Sequence, residues 1–337
     1  MGVIDHDLTV NGTTPTLAYI QNGMTRSAVV SELDTGAWTS LDPAAISGAS
    51  LRAISVAVHA SAPHVAVSTG LFQDNLKVFR RNGATWSELG SPGATSACSA
   101  HESIGLALDG AIPLLTSFGA GGCGLGVDFH WLQGTWQSHA STTTFPAQLT
   151  MSANGHSDII ITDRPYVALS DNGTHWVRYW DDGASAWQNL GSSLSVNAST
   201  GFDEDIVIAA DSTGQLYAAW SETNASNLTQ IWVKTYTTDW TSVGGKVSGP
   251  LWASSPSLAL IGDVPWVAYV ESDNGLNKVF VRRWTGSNWE LVGGALNDSA
   301  FSAAGDPVIV DVSGTPHVAF REPLGSGLEH LYVKSLQ

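Results

Sequence analysis

Histidine and carboxylate side chains recur just ahead of a series of short apolar segments in this 337-residue chain. A histidine beside an Asp or Glu can move protons or bind a metal ion, so a converging set of such residues could do chemistry. The set comprises Asp5, His6, Asp7, Arg52, His101, Glu102, His156, Ser157, Asp158, Asp203, Glu204, Asp205, Ser255 and Asp306. Whether these side chains act together depends on the elements that carry them.

Those elements are clearest between residues 256 and 294, where four apolar segments are separated by Gly- and Asn-containing turns: PSLALIGD, WVAYVES, KVFVRRW and WELVGG. Their β-branched and aromatic content predicts four short antiparallel strands. The unit recurs about every 50 residues, a period typical of repeat architectures. Two residue positions recur with this period and serve as markers of the repeat. One is a tryptophan in the fourth strands (Trp38, Trp86, Trp136, Trp187, Trp240, Trp289), and the other is a small or apolar residue in the second strands (Ala18, Ala66, Leu115, Ala168, Ala219, Ala268, Ala319).

Seven second strands and six Trp-led fourth strands predict an all-β fold, a seven-bladed β-propeller of four-stranded antiparallel blades. The last blade is expected to have three strands, because the sequence reaches Gln337 just after a third strand. No linker or charge block interrupts the repeats, so residues 1–337 are predicted to form a single domain.

The net charge of −16 argues against nucleic acid and against anionic membrane surfaces as partners. No apolar run is long enough to span a bilayer, and no signal peptide is visible. Cys98 and Cys123 fall in two loops predicted on the same face of the blades, so they form either a disulfide or two free thiols. A disulfide would indicate a secreted protein, and we expect secretion or a cell-surface location.

If the first strand of each blade is innermost, the recurring His and acidic residues surround the mouth of a central channel. His6, His101 and His156 are then candidate ligands for copper or zinc, and the carboxylates alone would suit calcium. A glycan or another small polar ligand is the other candidate occupant, with these residues as contacts: Asp7, Arg52, Glu102, Asp158, Asp205 and Asp306. A solvated polar rim with no ligand is the alternative interpretation.

A second acidic set lies at the ends of four successive second strands, at Asp171, Glu222, Glu271 and Glu322. These carboxylates could accept sugar hydroxyls or a cation, or they could serve solubility and protect strand edges. Trp252 lies in a loop and is expected to be exposed and able to stack on a sugar. The regularly spaced tryptophans are instead expected to pack between blades.

The repeated pattern Pro-x-Val-Ala-Tyr, Val-Arg-Arg-Trp and Gly-x-x-Trp-x-x-x-Gly-Gly resembles secreted bacterial proteins built of Trp-punctuated propeller repeats. The turn from Asn82 to Trp86 is similar to an Asp-box, the hairpin of sialidase-type propellers, and the whole chain resembles seven-bladed lectins. The resemblance implies an architecture more than an activity. Sialidases need an arginine triad, and most arginines here fall on third strands, so sialidase activity is not expected.

No nucleophile elbow, metalloprotease motif, CxxC or EF-hand loop occurs in the sequence. The sequence therefore favours a secreted, non-catalytic binding protein for glycans, and an enzyme is disfavoured. Metal capture at the channel mouth is one alternative, and a divalent metal is the only cofactor considered. A polysaccharide lyase or hydrolase is the other alternative, with His101, Glu102 and Asp205 as acid and base.

Overall fold

The computed structural model describes residues 2–41, 46–48, 50–69, 75–90, 100–120, 125–132, 135–138, 156–171, 173–197, 205–299, 302–324 and 328–337. Over these residues every regular element is a β-strand, and within each sheet consecutive strands pair antiparallel, with β5 as the one strand off this path. No helix in this part of the chain is long and apolar enough to cross a membrane. The chain divides into two compact units, Met1–Asn154 and Gly155–Gln337.

The first unit contains three sheets, and the strands of each sheet follow one another in the sequence. The first sheet comprises β1 (Val3–Asn11), β2 (Thr14–Gln21), β3 (Arg26–Asp34) and β4 (Ala37–Ser40), with β5 (Ser47–Gly48) paired to β3. The second comprises β6 (Leu51–His59), β7 (Ala62–Thr69), β8 (Asn75–Asn82) and β9 (Thr85–Glu88). The third comprises β10 (Ala100–Asp109), β11 (Ile112–Ala120), β12 (Leu125–Leu132) and β13 (Thr135–Ser138).

The second unit contains four sheets with the same order of strands. Its first two are β14 (His156–Ile161), β15 (Pro165–Asp171), β16 (Thr174–Asp181) and β17 (Ala186–Asn189), then β18 (Ile206–Ala210), β19 (Leu216–Thr223), β20 (Thr229–Tyr236) and β21 (Trp240–Ser242). Its last two are β22 (Ala253–Ile261), β23 (Val264–Asp273), β24 (Leu276–Trp284) and β25 (Trp289–Leu291), then β26 (Gly305–Val312), β27 (Thr315–Leu324) and β28 (Leu328–Ser335).

This arrangement confirms the predicted all-β fold and its four-stranded antiparallel propeller blades. The number of blades needs a correction, because only six sheets have four or more strands among the described residues. The seventh repeat forms the three-stranded sheet β26–β28. The predicted period was right, and the count of complete blades is six rather than seven.

The second strand of each sheet is the most deeply buried, because it packs against neighbouring sheets on both of its faces. In β7 the six residues from Pro63 to Ser68 are all buried, whereas β1 alternates between buried and half-buried side chains. Ala18, Ala66, Ala168, Ala219, Ala268 and Ala319 have no exposed surface. A small side chain at this position lets the adjacent sheets approach closely, which explains the alanine marker in the sequence.

The repeated tryptophans join neighbouring sheets within each unit. The indole Nε1 of Trp289 donates to the carbonyl oxygen of Val243 at 2.9 Å, and Trp240 donates to Leu190 at 2.7 Å. In the first unit Trp86 donates in the same way to Leu41 at 3.0 Å. Each acceptor lies three residues after the tryptophan of the preceding sheet. Trp187, Trp240 and Trp289 are buried, so the predicted packing role is confirmed for them.

Candidate active site at the starts of the first strands

The first strands begin irregularly. Register shifts interrupt the pairing at the start of β1, β6, β10, β22 and β26. At the two last shifts Ser255 and Asp306 each have a φ of 51°, a left-handed conformation that is uncommon for residues other than glycine. Bulges of this kind bend a strand and redirect its side chains, and they occur often beside functional sites. The predicted polar residues therefore lie on distorted backbone.

His156 and Asp205 form a close pair of the kind predicted at these strand starts. His156 is the first residue of β14, and Asp205 lies immediately before β18 in the next sheet. The distance from Nδ1 of His156 to Oδ1 of Asp205 is 3.0 Å, with 34% and 24% of the two side chains exposed. The pair therefore crosses two blades and is accessible from solvent. We call it the dyad.

Two serines hold Asp205, one through its carboxylate and one through its backbone. The backbone N–H of Ser255, at the bulge of β22, donates to Oδ2 of Asp205 at 3.0 Å. The backbone N–H of Asp205 donates to Oγ of Ser221 at 3.0 Å, and the N–H of Ser221 donates back to the carbonyl of Asp205 at 3.0 Å. Three successive sheets thus hold Asp205, which leaves its Oδ1 for the imidazole.

The contact with Asp205 bears on the chemistry of the His156 ring. Nδ1 lies 3.0 Å from Oδ1 of Asp205, and in the neutral tautomer that carries its hydrogen on Nδ1, Nε2 is the basic nitrogen. A carboxylate that accepts from Nδ1 also stabilises the imidazolium formed when Nε2 takes a proton. The dyad can therefore act as a general base towards water or a hydroxyl group that reaches it.

Asp7 and Asp158 occupy the same position of two first strands, and each joins its sheet to the next. Oδ2 of Asp7 accepts from the backbone N–H of Val56 at 2.8 Å and from Oγ of Ser55 at 2.9 Å. Oδ2 of Asp158 accepts from the N–H of Ile208 at 2.9 Å. Burial raises the pKa of Asp7, opposed by these hydrogen bonds. Both carboxylates attach neighbouring sheets, and their contact with a ligand stays a prediction.

The other predicted contacts at the strand starts are dispersed. Asp306 is exposed and pairs with Arg321, which also donates to Oε2 of Glu329 at 2.7 Å. Arg52 is half-buried at the bulge of β6. Trp252 is 39% exposed, as expected for a residue able to stack on a ligand. None of these side chains has a described contact with the dyad.

The glutamates at the ends of the second strands accept hydrogen bonds from backbone N–H groups of loops. Glu222 and Glu322 have no exposed surface, and Glu271 is 9% exposed. Glu222 accepts from the backbone N–H of Val196 and that of Asn197, in the segment that leads to Asp205. The three described glutamates of this set are therefore buried beneath loops, and contact of the whole acidic set with a ligand stays a prediction.

The equivalent glutamates of the next two sheets bind loop amides in the same way. Glu322 accepts from the N–H of Asp298 at 2.7 Å and that of Ser299 at 2.9 Å. Glu271 accepts from the N–H of Gly249 at 2.7 Å. In each case the glutamate receives the loop that enters its own sheet from the preceding one. The glutamate at the end of the second strand therefore has the same structural role in three successive sheets, which is to bind backbone amides of the incoming loop.

The metal prediction finds no support among the residues whose side chains are described, where no group of three His, Cys, Asp or Glu side chains could hold an ion. His6 is buried, with 5% of its surface exposed. For His101, Glu102 and Asp171 only the backbone is described, and their roles as ligands stay predictions. Cys98 and Cys123 lie outside the described residues, so the disulfide also stays a prediction.

Sequence reasoning missed a buried group around His175, which lies in the same sheet as His156. His175 has no exposed surface, and its Nδ1 lies 3.2 Å from Oγ of Ser195 and 3.9 Å from Oε2 of Glu222. Trp220 donates from Nε1 to the same carboxylate at 2.7 Å. A signal for Ser221 was present, because serine recurs two residues after the second-strand marker in four successive repeats: Ser68, Ser117, Ser170 and Ser221.

The described arginines of the third strands do not assemble a triad. Arg178 is buried, Arg282 donates to the hydroxyl of Tyr269 at 3.0 Å, and Arg283 pairs with Glu290 at 2.8 Å. Each is engaged within its own sheet or buried. Nothing in the described part of the chain brings three of them to one carboxylate-binding site.

No family model and no curated protein matches the chain. Among solved structures, Trypanosoma rangeli sialidase is similar with a TM-score of 0.53 and 11% identity over 84% of this chain and 54% of the sialidase. Its complex with sialic acid gives 0.52 and 11%, over 85% and 54%. A thermostable family-43 glycoside hydrolase gives 0.44 and 13%, over 84% and 88%.

The sialidase structures correct the sequence-based expectation of function. That expectation, a non-catalytic binding protein with enzyme activity disfavoured, followed the resemblance to lectins. The solved structures that share the fold are named as enzymes, and one is a covalent intermediate with 2,3-difluorosialic acid. The expectation is therefore wrong. The chain spans about half the length of the sialidase chains it matches, and at this identity the likeness establishes a shared β-propeller fold.

Proposed function

We propose that this protein is a glycan-cleaving enzyme whose proton-transfer group is His156, held by Asp205. The observation that carries the proposal is the 3.0 Å contact between Nδ1 of His156 and Oδ1 of Asp205, accessible from solvent where two first strands begin. A histidine held by a carboxylate, with its second nitrogen directed away from that carboxylate, is a common general base. The shared fold with sialidases supports glycans as the substrate class.

The reaction that suits the dyad is hydrolysis of a glycosidic bond. Nε2 of His156 takes a proton from water, the water oxygen bonds to the anomeric carbon, and the bond from that carbon to the leaving oxygen breaks. The leaving oxygen takes a proton from an acidic group. Asp203 and Glu204 precede Asp205 in the sequence and are the nearest carboxyl groups along the chain, but they lie outside the described residues.

Neutral glycans are the favoured substrates. The net charge of −16 repels polyanions such as uronic-acid polymers and polysialic acid. The engaged arginines of the third strands leave no described triad for a sialic acid carboxylate. Secretion or a cell-surface location, expected from the sequence, remains part of the proposal, because neutral polysaccharides are abundant outside cells.

A substrate screen with two variants tests the proposal. The purified protein is incubated with neutral p-nitrophenyl glycosides and neutral oligosaccharides, and release of nitrophenol or of new reducing ends is measured. His156→Gln and Asp205→Asn should each lower kcat/KM by a factor of about 10² to 10⁴, the range for loss of general acid–base catalysis. His59→Gln changes an exposed histidine elsewhere and should retain full activity.

Two results would contradict the proposal. If the folded wild-type protein cleaves no neutral glycan in a broad screen, the assigned function is wrong. If cleavage occurs and both dyad variants retain it, the reaction takes place at another site. Circular dichroism of each variant establishes that a loss of activity does not come from unfolding.

A further inference from the structure

His156, Asp205 and Ser255 occupy the same position in three successive sheets of the second unit. Each lies two residues before the first-strand residue that pairs with the marker alanine of its sheet: Asp158 with Ala168, Val207 with Ala219, and Ser257 with Ala268. Oδ1 of Asp205 lies 3.0 Å from Nδ1 of His156, and its Oδ2 lies 3.0 Å from the backbone nitrogen of Ser255. The three strand starts therefore form one continuous row that includes the dyad.

Trp252 is an exposed aromatic side chain beside the Ser255 end of this row. It lies three residues before Ser255, on the loop that enters β22, and 39% of its surface is exposed. Three residues of extended chain span at most roughly 11 Å, so the backbone of Trp252 lies within that distance of the residue that holds Asp205. A substrate longer than one sugar unit can therefore contact the dyad and Trp252 together.

The backbone that carries Trp252 is held at two places. Its carbonyl oxygen accepts from the N–H of Ser272 in β23 at 2.9 Å. Earlier in the same loop, the N–H of Gly249 donates to Oε2 of Glu271 at 2.7 Å, and the carbonyl of Gly249 accepts from Nζ of Lys246 at 3.1 Å. An exposed side chain on a backbone that is already ordered loses little conformational entropy when a ligand binds.

An exposed indole on an ordered loop suits a sugar ring. One face of a pyranose carries C–H groups that pack on a flat aromatic surface, while its hydroxyl groups remain at the edge, where they keep their contacts with water. Leu251, next to Trp252, is 46% exposed and extends the apolar surface. This contact needs no charge on the ligand, in keeping with neutral glycans as substrates.

We propose that Trp252 binds a sugar unit of the substrate at a distance from the bond that the dyad breaks. Neutral oligosaccharides and polysaccharides are then better substrates than glycosides of a single sugar. The inference rests on the proposed function, because the dyad defines the point of cleavage. Trp252 contacts the substrate and takes no part in proton transfer.

Binding without turnover is the first part of the test. His156→Gln is titrated calorimetrically with cello-, xylo- and manno-oligosaccharides of two to six units, and at least one series should bind with an affinity that rises with length. In that background Trp252→Ala should weaken binding of the hexasaccharide at least about tenfold, the loss expected for an aromatic anchor that the ligand covers. Trp38→Ala is the matched control, because it changes a tryptophan that is 38% exposed in the first unit, and it should bind normally.

Cleavage of a long and a short substrate is the second part. Trp252→Ala in the otherwise unchanged protein should lower the ratio of kcat/KM on the hexasaccharide to kcat/KM on the p-nitrophenyl glycoside at least about tenfold, mainly by raising KM for the hexasaccharide. Circular dichroism confirms that the variants are folded.

The possible failures of the two proposals can be told apart. Absence of binding by any series, equal binding by Trp252→Ala, or an unchanged ratio of kcat/KM would overturn the inference and leave the dyad proposal standing. Dimers of the wild-type protein that Trp252→Ala dissociates would also overturn it, in favour of contact between two copies of the chain. Binding that requires Trp252, with no cleavage by the wild-type protein, would support the sugar contact and contradict the proposed function instead.

Discussion

Several carboxylates of the described residues connect one sheet to the next or hold an incoming loop. Asp7 and Asp158 bind backbone amides of the next first strand, and Glu222 and Glu322 bind amides of an incoming loop. Such charge-assisted hydrogen bonds are stronger than bonds between neutral groups, and they satisfy backbone donors that would otherwise be buried without partners. His156 and Asp205 differ because they form a contact between a histidine and a carboxylate that is accessible to solvent.

His64 should make the stability of the protein depend on pH. Burial lowers its pKa to about 4, whereas an unfolded histidine titrates near 6.5. Between these values the unfolded chain binds the proton and the folded chain does not, so the free energy of unfolding falls as pH decreases from about 6.5 to 4. The loss should reach about 3 kcal/mol, measured by urea unfolding at a series of pH values.

Substitution at two equivalent positions isolates this contribution. His64→Leu should flatten the pH dependence over that range, whatever it does to stability at pH 7. His317→Leu changes a half-exposed histidine at the same strand position in another sheet and should flatten it much less. An unchanged slope in His64→Leu would show that other groups cause the acid sensitivity.

Among the strands and loops, the close contact between the backbone of a loop and a buried carboxylate restricts which residue type can occupy the loop position. The N–H of Gly249 lies 2.7 Å from Oε2 of Glu271, and a Cβ atom on this glycine would collide with that carboxylate. Lack of space for a side chain requires the glycine here, and backbone conformation does not, because its φ is not positive. The loops that enter the sheets are therefore fixed by contacts with the second strands.

Gly249→Ala should destabilise the protein by about 1–3 kcal/mol, because the carboxylate must move and its hydrogen bond is weakened. Gly294→Ala is a matched control, since a Cβ there meets nothing within 4 Å. Chemical unfolding of both variants measures the difference. Equal stability of the two would show that the loop relaxes without cost.

The strands could be predicted from the sequence because their signals are local. Alternating apolar residues, Gly and Asn turns and the recurring tryptophans all lie within single repeats of about 50 residues. The three strands of the last sheet were visible too, as the segments PVIVDVSG, HVAFRE and HLYVKSL. These features need no knowledge of which side chains meet in space.

The roles of the polar residues could not be predicted in the same way. Glu222 binds amides 25 and 26 residues earlier, at Asn197 and Val196, and nothing local marks those amides as its partners. Its position at a strand end suggested exposure, but the incoming loop covers it. His156 and Asp205 were both candidates, yet their pairing depends on how two neighbouring sheets pack. Contacts of this kind require coordinates.

For the molecule as a whole, the unbalanced charge opposes the short-range contacts. Thirty acidic residues face fourteen basic ones, which gives a net charge of −16. Self-repulsion among these charges is larger in the compact folded state than in the expanded chain. Hydrophobic cores within each unit and the bonds between sheets must outweigh it.

Salt should therefore stabilise the protein. Raising NaCl from 0.05 to 0.5 M shortens the screening length from about 14 Å to about 4 Å, which weakens the repulsion. The free energy of unfolding in urea should rise by an amount on the order of 1 kcal/mol. NaCl is preferred to sulfate, which strengthens burial of apolar surface by a separate effect. A decrease in stability would show that attractive ion pairs dominate instead.

The bond between successive sheets ends on a main-chain oxygen, and this has a consequence for how the repeats can change. Trp289, Trp240 and Trp86 each require a carbonyl at a fixed place but no particular side chain there. Substitutions in the repeat that provides the carbonyl therefore leave this hydrogen bond intact, as long as the tryptophan is retained in the repeat that donates the indole N–H. Repeats can be duplicated, lost or exchanged during evolution, and recombinant chains with reordered repeats should form the same joints.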